Sequence, residues 1–146
     1  MDPSDILLTD RVAIVTGAGQ GIGEGIARGF ARFGARVVVA DKNAETGERT
    51  AAAIRAAGGD ALSIPTDVRE FEQVKAMVDQ AVKHFGRLDI LVNNVGGVRY
   101  ASFLDLGQKG WGTHTRLNFD GLFGPTDAAV RAMIAAGRGG VVLNVA

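Results

Sequence analysis

Short runs of consecutive apolar residues recur along the chain, and each is separated from the next by a longer stretch of mixed polarity. The run at residues 12–16 is continuous rather than alternating, and residues 36–40 and 88–92 are two further predicted strands. Continuous apolar runs of this length are typical of strands that are buried on both faces of a parallel sheet. A weaker run lies at residues 61–65, and a fifth begins at residues 139–145, so the pattern predicts five strands.

The stretches between these runs predict helices. Within residues 71–85 the apolar side chains fall at helical spacing, with charged side chains between them. Residues 21–33 and 44–57 are also predicted to be helical, and glycines that follow each of them favour helix ends. From about residue 103 to 136 the pattern is helical but is interrupted by glycines and Pro125. Because proline lacks the N–H of an interior helical bond, we expect this last helix to kink or break at Pro125.

The alternation of strands with helices predicts the fold class. Strands that alternate with helices of about 10–15 residues are typical of crossover units in a parallel sheet. Right-handed crossovers then predict an α/β fold, a Rossmann-like doubly wound parallel sheet with a ligand crevice at the carboxyl ends of the strands. We expect residues 1–146 to form one incomplete domain, truncated in or after the fifth strand.

Composition narrows the functional classes. The 16 basic and 16 acidic residues cancel, which removes the electrostatic basis for nucleic-acid binding. No apolar stretch approaches the roughly 18 residues of a membrane span, and no basic N-terminal region indicates a signal peptide. The chain has no cysteine, which favours a cytoplasmic location, and its two histidines have no ligand-type spacing, so we expect no metal.

Glycine makes up 21 of the 146 residues, roughly twice its average share. Four glycines occupy alternate positions from Gly17 to Gly23, between the first predicted strand and the first predicted helix. Without side chains the backbone there can turn sharply and let a diphosphate approach the helix N-terminus, whose free N–H groups favour an anion. The segment is therefore a candidate phosphate-binding loop, and a simple tight turn is the alternative.

Asp41 ends the second predicted strand. An acid at this place can accept hydrogen bonds from the ribose hydroxyls of an adenosine and repel a 2′-phosphate. Gln20 leaves the glycine loop without a cation for such a phosphate, although Lys42 is a nearby cation that argues the other way. We therefore expect NAD as the cofactor, with NADP less favoured. The alternative is that Asp41 only caps the following helix.

Asp67-Val68 follows the third predicted strand, and Asn93 to Gly96 follows the fourth. With the segment from Thr16 to Gly23, they resemble the Asp-Val, NNAG and TGxxxGxG motifs of the short-chain dehydrogenase/reductase family, with Val95 in place of alanine. The resemblance covers essentially the whole chain. It implies cofactor contacts from Gly17, Gln20, Gly21, Ile22, Gly23, Asp41, Asp67, Val68, Asn93 and Gly96.

The resemblance implies hydride transfer between nicotinamide C4 and the alcohol or carbonyl carbon of a small molecule. It also implies a catalytic Asn, a Ser, and a Tyr-x-x-x-Lys pair. Trp111 and Asn118 are similar to the helix that carries the catalytic Asn, and residues 144–146 to the strand that leads to the Ser. The single tyrosine, Tyr100, is followed four positions later by Leu104. Asn118 is thus the one catalytic residue that can be assigned, and we expect the 146-residue chain to be inactive alone.

In many members of the family the helix corresponding to that of Asn118 packs against a second subunit, so a homo-oligomer is expected. A sheet that stops at its fifth strand would also expose an apolar edge, which favours self-association. Two further hypotheses stay open at this point. A glycine loop followed by an acid also suits an S-adenosylmethionine-binding Rossmann protein, and the chain could be a non-catalytic nucleotide-binding or interaction module.

Overall fold

A computed structural model describes residues 6–98 and 100–146. The strands are β1 (Val12–Thr16), β2 (Arg36–Asp41), β3 (Asp60–Pro65), β4 (Ile90–Asn93) and β5 (Val141–Asn144). The α-helices are α1 (Gly21–Arg32), α2 (Ala44–Ala56), α3 (Phe71–Phe85), α4 (Phe103–Thr115) and α5 (Gly121–Ala135). A π-helical turn, Arg116–Asp120, joins α4 to α5.

The five strands form one parallel sheet in the order β3-β2-β1-β4-β5. The chain winds outward on one side from β1 to β3, and then crosses to β4 on the other side of β1. This order confirms the predicted Rossmann-like doubly wound fold. The crossing between β1 and β4 is a topological switch point, where the loops at the carboxyl ends of neighbouring strands diverge and leave a crevice.

The central strands β1, β2 and β4 are buried on both faces of the sheet, as the continuous apolar run of β1 predicted. All five residues of β1 are fully buried. On one face, Ile14 and Leu91 pack in a cluster with side chains of α3 and α5 such as Met77. On the other face, Val15 and Val39 pack in a second cluster with side chains of α1 and α2. The two apolar layers fix the sheet between the helices, so that the loops at its carboxyl edge have a rigid base.

The expected break at Pro125 is wrong. The α5 helix runs through Pro125 without interruption, and the irregular backbone is the π-helical turn that directly precedes it. Because Pro125 has no N–H, the carbonyl of Gly121 lacks its usual helical partner, and Gly121 lies at the junction between the π-helical turn and α5. A second irregularity lies further upstream, where Gly107 adopts φ 59° and ψ 177° inside α4.

The glycines beside Pro125 have a packing role. A Cβ built on Gly121 would lie 2.9 Å from Cγ2 of Val68, and one on Gly124 would lie 3.9 Å from the Val68 carbonyl oxygen. The start of α5 therefore comes close to the segment after β3. This approach sets the position of Val68, which also lines the cleft described below.

Candidate functional site

A cleft of about 560 Å³ opens at the carboxyl edge of the sheet, above the crossing between β1 and β4. Its walls come from the loops that follow β1, β2, β3 and β4, together with Leu117 of the π-helical turn. Eight of the ten predicted cofactor residues line it: Gly17, Gln20, Gly21, Ile22, Asp41, Asp67, Val68 and Gly96. The other two, Gly23 and Asn93, are not among its lining residues.

Gly23 lies beneath the glycine loop rather than in the cleft. A Cβ built on it would approach both the Gly17 carbonyl oxygen and Nδ2 of Asn94 to less than 3.0 Å. Gly17 and Gly21 have φ values of +63° and +58°, which side-chain-bearing residues rarely adopt. The glycines therefore allow the loop to fold back tightly against the first turn of α1.

The N-terminus of α1 faces the cleft without a side-chain cap. Its N-cap residue Gln20 makes no capping hydrogen bond, whereas the carboxamide of Asn43 caps α2 by accepting bonds from two N–H groups. A Cβ built on Gly21 would meet no atom within 4 Å. Uncapped N–H groups at the positive end of a helix dipole, with open space above them, fit the diphosphate of a dinucleotide.

Asp41 ties the second strand to the glycine loop. Its Oδ2 accepts a hydrogen bond from the Gly19 N–H at 2.8 Å, and its Oδ1 accepts one from the Asn43 N–H at 2.9 Å. Asn43, not Asp41, caps the next helix, so the alternative role proposed for Asp41 is wrong. Each carboxylate oxygen has a second lone pair, which leaves Asp41 able to accept bonds from ribose hydroxyls.

The Gly19 peptide is also held from the opposite side. Its carbonyl oxygen accepts bonds from Nη2 of Arg49 at 3.1 Å and Oγ1 of Thr50 at 3.3 Å, both on α2. The glycine loop is thus fixed by β2 and by α2 together. The sequence analysis missed this pair, whose only local signal is adjacent polar residues on a predicted helix.

Asn94 and Thr16 join the end of β4 to the glycine loop. Oγ1 of Thr16 accepts bonds from the N–H groups of Asn94 and Val95 at 3.0 and 3.3 Å, and donates to the Val92 carbonyl at 3.2 Å. In return, Nδ2 of Asn94 donates to the carbonyl oxygens of Thr16 and Gly17 at 3.0 and 3.3 Å. These bonds hold the two loops on either side of the switch point at a fixed separation.

Asn93 lies behind the cleft, where its side chain is buried. Its Nδ2 donates to Oγ1 of Thr126 at 2.9 Å and to Oδ1 of Asn144 at 3.0 Å. Its Oδ1 has no hydrogen-bond partner within the described part of the chain. Asn93 therefore links β4 to β5 and α5, whereas Asn94, the next residue, binds the glycine loop.

Asp67 lies at the end of the cleft nearest β3 and is bound by two cations. Nε of Arg69 donates to Oδ1 of Asp67 at 2.8 Å, and Nζ of Lys42 lies 3.1 Å from its Oδ2. The hydrogen bond from Arg69 holds the pKa of the Asp67 carboxyl well below its usual range, although burial acts to raise it. Arg69 was missed by the sequence analysis, although an arginine two positions after an aspartate can pair with it locally.

Asn118 lies in the π-helical turn, outside the cleft-lining residues. Its Oδ1 accepts a bond from the Gly97 N–H at 3.0 Å, and its Nδ2 donates to the carbonyl oxygens of Gly97 and His114, each at 2.9 Å. This side chain is therefore occupied by the backbone. Tyr100 projects into solvent with 93% of its surface exposed.

Comparison with known proteins agrees with this architecture. A sequence model described as short chain dehydrogenase matches residues 11–146. The chain belongs to the short-chain dehydrogenase family. This result and the parallel five-stranded sheet confirm the family resemblance and the fold class.

Two curated relatives illustrate the match. L-Rhamnose 1-dehydrogenase (NAD(P)(+)) of Azotobacter vinelandii is 37% identical over 144 residues, which cover 96% of this chain and 56% of the relative. D-Threitol dehydrogenase of Mycolicibacterium smegmatis is 38% identical over 142 residues, which cover 97% of this chain and 54% of the relative. The chain thus spans a little over half the length of these relatives.

Solved structures of the family superpose closely. A short-chain type dehydrogenase/reductase from Mycobacterium marinum gives a TM-score of 0.94 at 35% identity, over 99% of this chain and 59% of that one. A 7α-hydroxysteroid dehydrogenase, solved with NADH and 7-oxo glycochenodeoxycholic acid, gives a TM-score of 0.94 at 34% identity, over 99% of this chain and 56% of that one.

Residues 6–98 and 100–146 contain no helix with both the length and the apolarity needed to cross a membrane. Within the same ranges, no three His, Cys, Asp or Glu side chains are grouped as ligands of a metal ion.

Proposed function

We propose that this chain is the NAD-binding part of an oxidoreductase that transfers hydride to or from a small-molecule alcohol or carbonyl compound. The uncapped N-terminus of α1 would hold the diphosphate, and Asp41 would hold the adenosine ribose. Val68 and Asp67 would lie against the adenine, with Gly96 on the opposite wall. The observation that carries the proposal is the carboxylate of Asp41, which lines the cleft and is oriented by the Gly19 N–H at 2.8 Å.

The preference for NAD rests on the charge of Asp41. A carboxylate beside the ribose can accept hydrogen bonds from both hydroxyls, whereas a 2′-phosphate would place like charges together. The bound nicotinamide would supply the carbon that accepts or gives the hydride. The residues of this chain would bind and orient the dinucleotide through the backbone at the start of α1 and through Asp41.

Names of relatives support the reaction class. The two curated relatives are named as dehydrogenases of L-rhamnose and D-threitol, and the solved hydroxysteroid dehydrogenase is named with NADH. Family membership favours a nicotinamide cofactor over S-adenosylmethionine. We extend only the general class, a small alcohol or carbonyl compound, to this protein.

We further propose that the 146-residue chain alone has no dehydrogenase turnover. Its single tyrosine, Tyr100, is followed four positions later by Leu104 rather than by a lysine. A phenol has an ordinary pKa near 10 and needs a neighbouring cation to act as a general acid or base at neutral pH. NADH formation by the purified chain above a blank, with a panel of sugars, polyols and steroids, would contradict this proposal.

Calorimetric titration with NAD, NADP and S-adenosylmethionine tests the cofactor assignment. We expect the chain to bind NAD more tightly than NADP, and the variant Asp41→Ala to lose most of this preference. Asp79→Ala, on the exposed face of α3, is the matched control and should retain the wild-type preference. Binding of S-adenosylmethionine in place of both dinucleotides would overturn the proposal.

A further inference from the structure

One acidic side chain in the cleft holds both of its neighbouring cations. Asp67 follows β3, whereas Lys42 follows β2, and the ammonium of Lys42 spans the gap to reach Oδ2 of Asp67 at 3.1 Å. Arg69 approaches the same carboxylate through its Nε at 2.8 Å. All three side chains line the cleft that contains Asp41.

The exposure of these side chains shows which of them a ligand could recruit. The side chain of Asp67 is only 14% exposed, whereas those of Lys42 and Arg69 are 68% and 37% exposed. The carboxylate is therefore the fixed partner, and the two cations are the movable ones. If Asp67 were neutral, an ammonium and a guanidinium would face the cleft beside Asp41 without their acidic partner.

These two cations are the groups that a phosphorylated ribose would attract. Lys42 directly follows Asp41, the residue that we propose binds the ribose hydroxyls. A phosphate monoester carries about −1.5 to −2 charges at neutral pH and forms charge-assisted hydrogen bonds with lysine and arginine. A 2′-phosphate would therefore compete with Asp67 for Lys42 and Arg69.

We infer that Asp67 is a specificity-determining residue, which favours NAD over NADP by holding Lys42 and Arg69 away from a 2′-phosphate. The inference rests on the proposed function and adds a second acid to the discrimination by Asp41. Repulsion by Asp41 acts on the phosphate directly. Asp67 acts through the cations. Lys42 and Arg69 can bind a 2′-phosphate only if their ion pairs with Asp67 are broken, and this requirement lowers the affinity for NADP.

The protonation state of Asp67 is consistent with this role. Its hydrogen bond from Arg69 keeps the pKa of the carboxyl far below neutral, against the effect of burial. The carboxylate therefore stays charged across the neutral range, and the two cations remain held there.

A double-mutant cycle tests the inference by direct binding. Dissociation constants for NAD, NADP, adenosine 2′-monophosphate and adenosine are measured by calorimetry for the wild type, Asp67→Asn, Lys42→Met and the double variant. In Asp67→Asn the affinity for NADP relative to NAD should rise about tenfold, as expected for one added charge-assisted bond. The affinity for adenosine 2′-monophosphate relative to adenosine should rise by a similar factor. This comparison isolates the contribution of the phosphate group to binding.

The role of Lys42 should depend on Asp67. In the wild type, Lys42→Met should change the NADP-to-NAD ratio by less than about twofold, because the ammonium is already held. In the Asp67→Asn background, Lys42→Met should remove most of the increase in NADP affinity relative to NAD. Thermal melting by circular dichroism shows whether each variant is folded, and Asp79→Asn, on the exposed face of α3, is the control that should retain the wild-type ratio.

The possible failures can be told apart. If Asp67→Asn weakens or strengthens both dinucleotides by the same factor, Asp67 affects only shared contacts and the inference is wrong. The same conclusion follows if Lys42→Met has equal effects in both backgrounds. If the wild type binds neither dinucleotide, the proposed function is wrong and the inference falls with it.

Discussion

The carboxamide of Asn118 holds the peptide of Gly97 from both sides. It accepts the Gly97 N–H at 3.0 Å and donates to the Gly97 carbonyl oxygen at 2.9 Å, and its second N–H binds the His114 carbonyl. The π-helical turn is thereby joined to the segment after β4, next to Gly96 in the wall of the cleft. Because this side chain is bound to the backbone, we propose that Asn118 acts in this chain as a positioning residue.

Replacing Asn118 should loosen that segment. In Asn118→Asp the carboxylate can still accept the Gly97 N–H, but it cannot donate to the carbonyl oxygens of Gly97 and His114. We expect the free energy of unfolding to fall by about 2 kcal/mol, the loss of two hydrogen bonds. Hydrogen exchange by NMR should show faster exchange at the Gly97 amide, while the β1 amides change only with global stability.

Gln108→Ala is the matched control for this substitution. It removes an exposed carboxamide from α4, the helix that precedes the π-helical turn. The Gly97 amide should then exchange at the wild-type rate. Unchanged exchange at Gly97 in Asn118→Asp would contradict the positioning role.

Replacing either of two glycines of α1 by alanine should change the free energy of unfolding, but in opposite directions. A Cβ on Gly23 would come closer than 3.0 Å to the Gly17 carbonyl oxygen, whereas a Cβ on Gly25 would meet nothing within 4 Å. Gly23→Ala should therefore destabilise the protein by about 3 kcal/mol through overpacking. Gly25→Ala should stabilise it by up to about 1 kcal/mol, through the higher helix propensity of alanine.

Urea unfolding followed by circular dichroism compares the two variants directly. Both substitutions add the same methyl group to the same helix. The opposite signs of the two changes in unfolding free energy therefore test the prediction better than the size of either change. Equal effects would show that the contact between Gly23 and the glycine loop does not constrain the chain.

The hydroxyl of Thr16 should contribute more to the free energy of unfolding than that of Thr50, although both side chains are fully buried. In Thr16→Val the N–H groups of Asn94 and Val95 lose their acceptor, and we expect a loss of about 2–3 kcal/mol. In Thr50→Val the Gly19 carbonyl keeps its bond from Arg49, so we expect a loss below about 1 kcal/mol. Thermal or urea unfolding measures both, and a larger loss for Thr50→Val would contradict the assigned network.

Acid stability should depend on Asp89, whose carboxylate binds the Val12 N–H at 2.9 Å and Nε of Arg87 at 2.7 Å. Burial acts to raise the pKa of Asp89, but the bonds from Arg87 and Val12 outweigh it and hold the pKa below the ordinary 3.8. A depressed pKa adds stability that is fully present above about pH 3.8 and is lost as the pH falls through the native value.

Asp89→Asn should therefore lower the free energy of unfolding by about 2 kcal/mol at pH 7, since a buried charged acceptor is replaced by a neutral one. The difference from the wild type should stay constant from pH 7 to 5 and shrink below about pH 3.8. Urea unfolding across this range measures it. Asp79→Asn, in an exposed pair with Lys75, should change stability by less than about 0.5 kcal/mol throughout.

The chain should also self-associate through β5. Val141 and Leu143 are exposed on this strand, which pairs with β4 on one side and lies at the edge of the described sheet. Exposed apolar edge strands tend to pair with another chain. Sedimentation velocity at tens of micromolar should show dimers or larger species, and Leu143→Lys should reduce them. A monomeric wild type would contradict this prediction.

Much of the fold follows from short-range patterns. The continuous apolar runs predicted β1 and β2, and the helical spacing of apolar residues predicted α3 from Phe71 to Phe85. Such patterns suffice because burial on both faces of a sheet, or on one face of a helix, selects the residue type at each position. The tight glycine loop after β1 was also predictable, because the positive φ values of Gly17 and Gly21 are ones that side-chain-bearing residues rarely adopt.

Other features depended on contacts that no local pattern contains. The sequence by itself determined where strands, helices and the glycine loop lie, because these follow from local spacing. Only the tertiary structure decided that Asn94 clamps the loop while Asn93 lies behind it, and that Lys42 pairs with Asp67. It also placed the helix irregularity before Pro125, where Gly121 packs on Val68. The physical reason is that these outcomes depend on partners supplied by other elements, which come together only when the chain is folded.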